Sequence, residues 1–325
     1  AAIGLGKSRI SDHINGEVVF FAVPAEEFVE LGYRSELVRS GRTGFMAGKP
    51  ELVRLGHFDD IDMAMMIHSG SPEVIEGSVG LAASSNGFIA KTVKFTGRAS
   101  HAGVAPEKGI NALSAAQLSL NAIDAQRSTF RDEDCVRVHP IITKGGSIVN
   151  VIPSEVLIET YIRAKTTEGI LDAEIKVDRA FKGAAIAMGC QLKIETVPGY
   201  MPLANSPGLA TLFNTNAGKI FGKEKYIEYP HSGGSTDAGD LSQIMPVLHP
   251  SMTGAVGTIH GKDWEIADKY SGYVAPAKTL AMMAIDLLCD GHAQCILDEE
   301  TPRMSRDAYL RLQHECFRSE HYSAE

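Results

Sequence analysis

The sequence predicts an α/β protein, a mostly parallel sheet covered by helices and interrupted by an inserted ferredoxin-like α+β unit. Three observations predict it. Residues 17–23 (Glu-Val-Val-Phe-Phe-Ala-Val) form a continuous apolar run rich in β-branched and aromatic side chains, the pattern of a strand covered on both faces. Residues 61–68 repeat the pattern and, like the first run, end on polar groups. Open α/β sheets hold their ligands at such C-terminal strand ends. From about residue 87 to 202 the order then becomes β-α-β-β-α-β, the split ferredoxin-like pattern.

The elements follow in order. A short helical stretch ends near Asn15-Gly16, a natural stop. The 17–23 strand halts at Pro24-Ala25-Glu26-Glu27. Residues 88–95 read as a strand, 96–109 as a glycine-rich turn region, and 111–127 as a helix with Leu113, Ala116, Leu120 and Ile123 at helical spacing. Strands are expected at 136–142 and 155–163, a helix at 171–188 with Ile175, Ala180, Ala184 and Ala187 near one face, and a strand at 191–197. A helix at 206–221, a strand-like stretch at 247–257 and a closing helix at 275–288 complete the outer unit. The charged stretch 293–325 reads as a helical tail. The expected boundaries are therefore 1–86, 87–202, 203–292 and 293–325, with no tandem repeat.

Composition bounds the function. The 325 residues carry 31 Lys and Arg against 40 Asp and Glu, a net charge of −9, which argues against a nucleic-acid binder that must displace counterions with a basic stripe. Hydrophobic residues at 44% and charged residues at 22% are ordinary for a globular chain and exclude dominant disorder. No uninterrupted apolar run of the length that spans a bilayer is expected, and no signal peptide is visible, so no membrane partner is expected. Five scattered cysteines without CxxC pairing suit free thiols in a reducing compartment, the cytoplasm.

Several residues can carry chemistry. Glu26 and Glu27 are adjacent carboxylates at a strand end, where successive side chains point to different sides. One can bind a metal while the other faces its water as a general base, or the pair can simply favour a helix start. His68 and His260 each follow an apolar run. Singly each is more often a satisfied histidine. With Glu27 they make a mixed carboxylate and imidazole set suited to zinc, manganese or cobalt. His101 lies among small residues, Gly97-Arg98-Ala99-Ser100-His101-Ala102-Gly103, where an imidazole can donate to an oxyanion or merely close a turn. Asn150 follows the Gly145-Gly146 turn and can bind a carboxylate or hydrogen-bond that turn. The glycine-rich 233–240 string lacks the GK[ST] ending of a phosphate loop, and no G-x-S-x-G elbow occurs.

Together these motifs resemble those of the binuclear metal-dependent amidohydrolases and peptidases, the family of aminoacylases, hippurate hydrolases, carboxypeptidase G-type enzymes and aminobenzoyl-glutamate hydrolases. Val23-Pro24-Ala25-Glu26-Glu27 resembles the catalytic double glutamate. Residues 95–103 with Pro106, Gly109, Asn111 and Ala112 resemble the opening of the family's lid domain, and 145–153 followed by Arg163 its second signature. Residues 234–240 with His260 are most similar to the aminobenzoyl-glutamate hydrolase and aminoacylase-1-like branch. The resemblance covers about residues 1–290.

The resemblance implies that Glu26 is the general base and that Glu27, His68 and His260 are metal ligands, with two zinc or manganese ions per chain in the complete protein. It implies that His101 stabilises the tetrahedral oxyanion across a dimer interface, since family lids pair and exchange this residue. Asn150 and Arg163 would hold the substrate's carboxylate or reacting carbonyl, Arg through its planar fork. The implied activity is hydrolysis of an N-acyl, aminobenzoyl or aminoacyl amide of an amino acid by a homodimer. Family members draw two further ligands from a loop upstream of the double glutamate, and Ala1–Leu5 reads as the helix after that loop, so those ligands are expected to precede this sequence. An alternative from a different class is a non-catalytic dimeric binding or assembly protein that kept the fold without a complete metal centre.

Overall fold

The computed structural model describes residues 1–323 except 74 and 76. The chain divides into two compact units: Ala1–Ser85, Leu203–Ser232 and Thr236–Arg306 form the first, and Asn86–Pro202, Gly233–Ser235 and Asp307–Glu325 the second.

In the second unit, period-2 alternation becomes a regular antiparallel sheet. Its strands lie in the order Arg318–Tyr322, Gln191–Pro198, Gly87–Thr96, Glu155–Ala164, Arg137–Lys144. Along Glu155–Ala164 every second residue is buried, so register is fixed by which set faces the core. Ile89 faces Ile162 and Phe95 faces Val156 across one ladder, and Val93 faces Ile194 across the next. Helices Ala112–Gln126 and Thr167–Met188 contribute Ala116, Ile123, Val177 and Phe181 to the same core as Val93, Phe95 and Ile158. Asn111 caps the first helix by accepting from the amides of Leu113 and Ser114, and Thr166 caps the second through Gly169. The β-α-β-β-α-β order read from the sequence is the order observed.

The first unit is built from shorter pieces. A four-stranded sheet runs Tyr226–Tyr229, Val79–Ala82, Ser251–Thr253, His68–Gly70, with the first and last pairings parallel and the middle one antiparallel. Ala64–Met65 pairs in parallel with Val247–Leu248 apart from it. Leu209 and Phe213 of helix Pro207–Phe221 and Met283 and Leu287 of helix Ala275–Cys289 pack on Val79, Leu81, Leu248 and Met252.

Two expectations are corrected. Residues 17–23 form no strand: Val19 is 46% and Phe20 81% exposed, while Phe21 stacks on Phe58 with ring centroids 4.5 Å apart. An apolar run seeks burial, but a strand also needs a hydrogen-bonding neighbour, and none of the described residues pairs with it. The 293–325 tail is not helical throughout. Helix His292–Glu299 belongs to the first unit, and after helix Arg306–Glu315 the strand Arg318–Tyr322 pairs antiparallel with Gln191–Pro198. The 20 residues Tyr270–Cys289 are apolar enough, by length and composition, to cross a membrane, with mean hydropathy 1.2. In the structure they are a π turn, Tyr270–Val274, and the helix whose Thr279, Met283 and Leu287 are buried.

Candidate functional site

The first unit gathers an acidic and imidazole cluster around Pro24-Ala25-Glu26-Glu27. Ala25 has φ of +60°, in the left-handed region that a side chain normally avoids. Its carbonyl accepts from Arg34 Nη1 and from the amide of Gly48, each at 3.4 Å. The two glutamates that follow differ in environment. Glu27 is exposed, and its Oε1 lies 3.6 Å from His260 Nδ1. Glu26 is half-buried and accepts from the Thr236 hydroxyl at 3.4 Å. Burial raises the Glu26 carboxyl above its ordinary range, the charges of Asp237 and Glu27 push the same way, and Lys49 and His68 oppose them.

His68 opens strand His68–Gly70. Its Nδ1 lies 2.6 Å from the Ser69 carbonyl, so Nδ1 is engaged as a donor and Nε2 is the ring nitrogen left for a metal. His260, with φ of +62°, sits on an exposed turn. Donor chemistry therefore fits a divalent ion, but the expected convergence of three ligands is corrected. Glu27 and His260 meet, while among the described residues no group of three or more His, Cys, Asp or Glu is arranged to hold a metal. The physical reason lies in the backbone: strand pairing and the Ser69 contact fix His68, whereas Glu27 and His260 lie on irregular chain.

The second unit brings two of its three candidates together. His101 and Val151 form a β-bridge, and the amide of Ala102 donates to the Asn150 carbonyl at 2.9 Å. The amides of Gly103 and Val104 both donate to His101 Nδ1 at 3.2 Å. That leaves the proton on the exposed Nε2, the tautomer needed to donate to an oxyanion. Arg163 stands on strand Glu155–Ala164, its guanidinium 5.0 Å from the Phe88 ring centroid and 5.4 Å from that of Tyr161, with Nη1 donating to Ser235 Oγ at 2.6 Å.

Sequence reasoning missed Lys49, Asp237 and His249. Asp237 is fully buried and pairs with the Lys49 ammonium; it also accepts from the Lys49 amide at 3.2 Å. His249 stacks edge-on against His68 at 5.9 Å, and burial first, then the charges of His68 and Lys49, press its pKa down to about 3, so it is neutral. The Gly233–Asp240 motif could have signalled Asp237, but its partner lies 188 residues away in the chain.

Comparison with known proteins follows the same division. Residues 84–186 match the M20 peptidase dimerisation domain. The Xaa-Arg dipeptidase of Mus musculus is 31% identical over 258 residues, covering 74% of this chain and 56% of that protein. One chain of the p-aminobenzoyl-glutamate hydrolase of Escherichia coli is 28% identical over 248 residues, covering 73% and 51%. The sequence thus spans little more than half the length of these relatives. Among solved structures, a dinuclear metal-binding peptidase of the M20 family from Bacillus subtilis shares the fold with a TM-score of 0.57 at 16% identity, over 78% of this chain and 69% of that one.

Proposed function

This chain belongs to the M20 family of peptidases and amidohydrolases, and from that premise we propose that its protein hydrolyses the amide bond of an N-acyl, aminobenzoyl or aminoacyl amino acid. The observation that carries the reading is the division of labour between adjacent carboxylates, Glu27 meeting His260 and Glu26 half-buried against Thr236. A carboxyl raised by burial above its ordinary range is suited to take a proton from water and return it to the leaving nitrogen. Glu27 and His260, which meet while His68 does not join them, would be two ligands of a divalent ion, zinc or manganese, whose remaining donors lie outside this group; such an ion would polarise the carbonyl and acidify a water. With Nδ1 taken by the Gly103 and Val104 amides, His101 would donate its Nε2 proton to the tetrahedral oxyanion of a partner chain. Asn150 and the planar guanidinium of Arg163 would hold the carboxylate of the amino-acid product.

The dimerisation-domain match and the exposed Val104, Ile148 and Val149 beside His101 and Asn150 support a homodimer. Five free cysteines support a cytoplasmic location. Turnover of p-aminobenzoyl-glutamate, an Xaa-Arg dipeptide and N-acyl amino acids by the full-length protein tests the activity. Glu26→Gln should lower kcat by about 100-fold or more with metal content kept, and a variant as fast as wild type removes Glu26 from its role.

A second reading is favoured by the want of a three-donor group among the described residues: a dimeric binding protein that does not turn substrate over. Mass spectrometry on the full-length dimer separates the two, since about two metals per chain together with turnover would exclude the binding protein.

A further inference from the structure

We propose that Lys49 and Asp237 are positioning residues for Glu26, a buried brace that sets the direction of its carboxylate. The inference rests on the hydrolase reading and deepens it. Asp237 has no exposed side-chain surface and Lys49 only 7%, so the pair is held inside the first unit. Asp237 takes both the ammonium and the backbone amide of Lys49. That fixes the start of helix Gly48–Arg54, while Arg306 caps its far end by donating to the carbonyls of Val53 and Arg54, each at 3.0 Å.

The braced helix bears directly on the glutamate segment. A Cβ at Gly48 would collide with the carbonyl oxygen of Pro24 and with the side chain of Val23, so the helix start and the Pro24-Ala25 backbone are in contact. The Gly48 amide donates to Ala25, the residue whose left-handed backbone turns the chain just before Glu26. From the other side Thr236, the neighbour of Asp237, donates its hydroxyl to Glu26. One ion pair thus fixes both the backbone that carries Glu26 and the hydroxyl that meets its carboxylate. A left-handed alanine persists only where its surroundings over-determine it, and these contacts are what surround it. A pair of apolar residues could fill the same space without loss of stability, so stability alone does not explain the charges.

The test uses the full-length protein and compares wild type, Lys49→Met/Asp237→Leu, Lys49→Arg and Thr236→Val. The double substitution leaves no buried charge behind, so folding is expected to survive, and thermal melting checks that. With p-aminobenzoyl-glutamate or an Xaa-Arg dipeptide as substrate, the double variant should lose about tenfold or more in kcat. Its KM should stay within about threefold and its metal content unchanged. Lys49→Arg should recover part of the loss, and Thr236→Val should lower kcat by about threefold or more. A folded double variant within about twofold of wild-type kcat overturns the proposal, and if the double variant does not fold, Thr236→Val at wild-type kcat does so. Should wild type turn over neither substrate, the hydrolase reading fails first. The brace is then decided by a crystal structure of the double variant, where an unmoved Glu26 on an unchanged left-handed Ala25 refutes it.

Discussion

Each unit buries a lysine against carboxylates, and the surroundings of the two differ. In the second unit Lys91 lies on the helix-facing side of the central strand, fully buried, with Nζ donating to Glu174 at 2.7 Å, to Asp178 at 3.0 Å and to the Thr196 hydroxyl at 2.7 Å. Glu174 also takes Arg318 from the last strand. The elements around it are long and regular: strands Gly87–Thr96 and Glu155–Ala164 and helix Thr167–Met188. In the first unit Lys49 meets a single carboxylate, Asp237, at the start of a seven-residue helix, and the backbone beside it is left-handed at Ala25. One cluster ties regular elements together; the other holds an irregular segment that bears acids. Burial of charge therefore marks a place where geometry is fixed, and only the neighbours tell whether that geometry is structural or chemical.

Breaking the Lys91 cluster should give the largest effect on stability. Lys91→Met leaves Glu174 and Asp178 facing each other in the core, and loss of one partner from a buried ionic group costs about 3–5 kcal/mol. Urea unfolding of the full-length protein measures it, read against a Lys49→Met/Asp237→Leu variant that removes both charges of its pair. The contrast holds if Lys91→Met shifts the unfolding midpoint strongly but keeps kcat at a permissive temperature, while the other variant does the reverse. Equal loss of kcat in both would erase the distinction.

The two units were also unequally legible. Alternation in Glu155–Ala164 and Gln191–Pro198 states at once that these are strands and which face is buried, so the ferredoxin-like order followed from the sequence. The first unit offered continuous apolar runs, which carry no register. Residues 61–68 and 247–257 became strands of two or three residues, broken around Pro250 and Gly254, and 17–23 paired with nothing described. The adjacent glutamates could be read because they are neighbours in sequence. The partner of Glu27, His260, could be read because a histidine after an apolar run is a ligand candidate, and the structure brings the two within 3.6 Å. Lys49 could not: nothing local distinguishes it from a solvated lysine, and its meaning comes from an aspartate far along the chain. The final strand, Arg-Ser-Glu-His-Tyr, is polar and short, and it becomes a strand because Gln191–Pro198 offers it an edge.

That last strand gives a prediction of intermediate size. Arg318→Ala removes a charge-assisted hydrogen bond to Glu174, which keeps Lys91 as a partner, so the cost should be about 1–2 kcal/mol. The loss should show as a lower urea midpoint and faster amide exchange along Gln191–Pro198. Unchanged exchange there would mean that the strand stays docked without its arginine.

The smallest effect belongs to the surface of the same unit, where Glu155 lies between Lys144 at 2.6 Å and Lys94 at 2.5 Å. Hydrogen bonds from Lys144 and Lys94 hold its carboxyl down at about 2, against an ordinary value of 4.5. A carboxyl depressed in the folded state stabilises above its unfolded pKa, and that stabilisation is lost as pH falls through the folded one. The contribution should therefore be complete above pH 4.5 and fade toward pH 2. The group is exposed and salt screens it, so the effect is small. Thermal melting of wild type and Glu155→Gln across that range measures it: wild type should melt slightly higher near neutrality, and the gap should close as the acid limit is approached. A gap that stays constant with pH, or survives molar salt undiminished, would show that Glu155 acts through packing rather than through charge, unlike the ionic clusters in the interior of either unit.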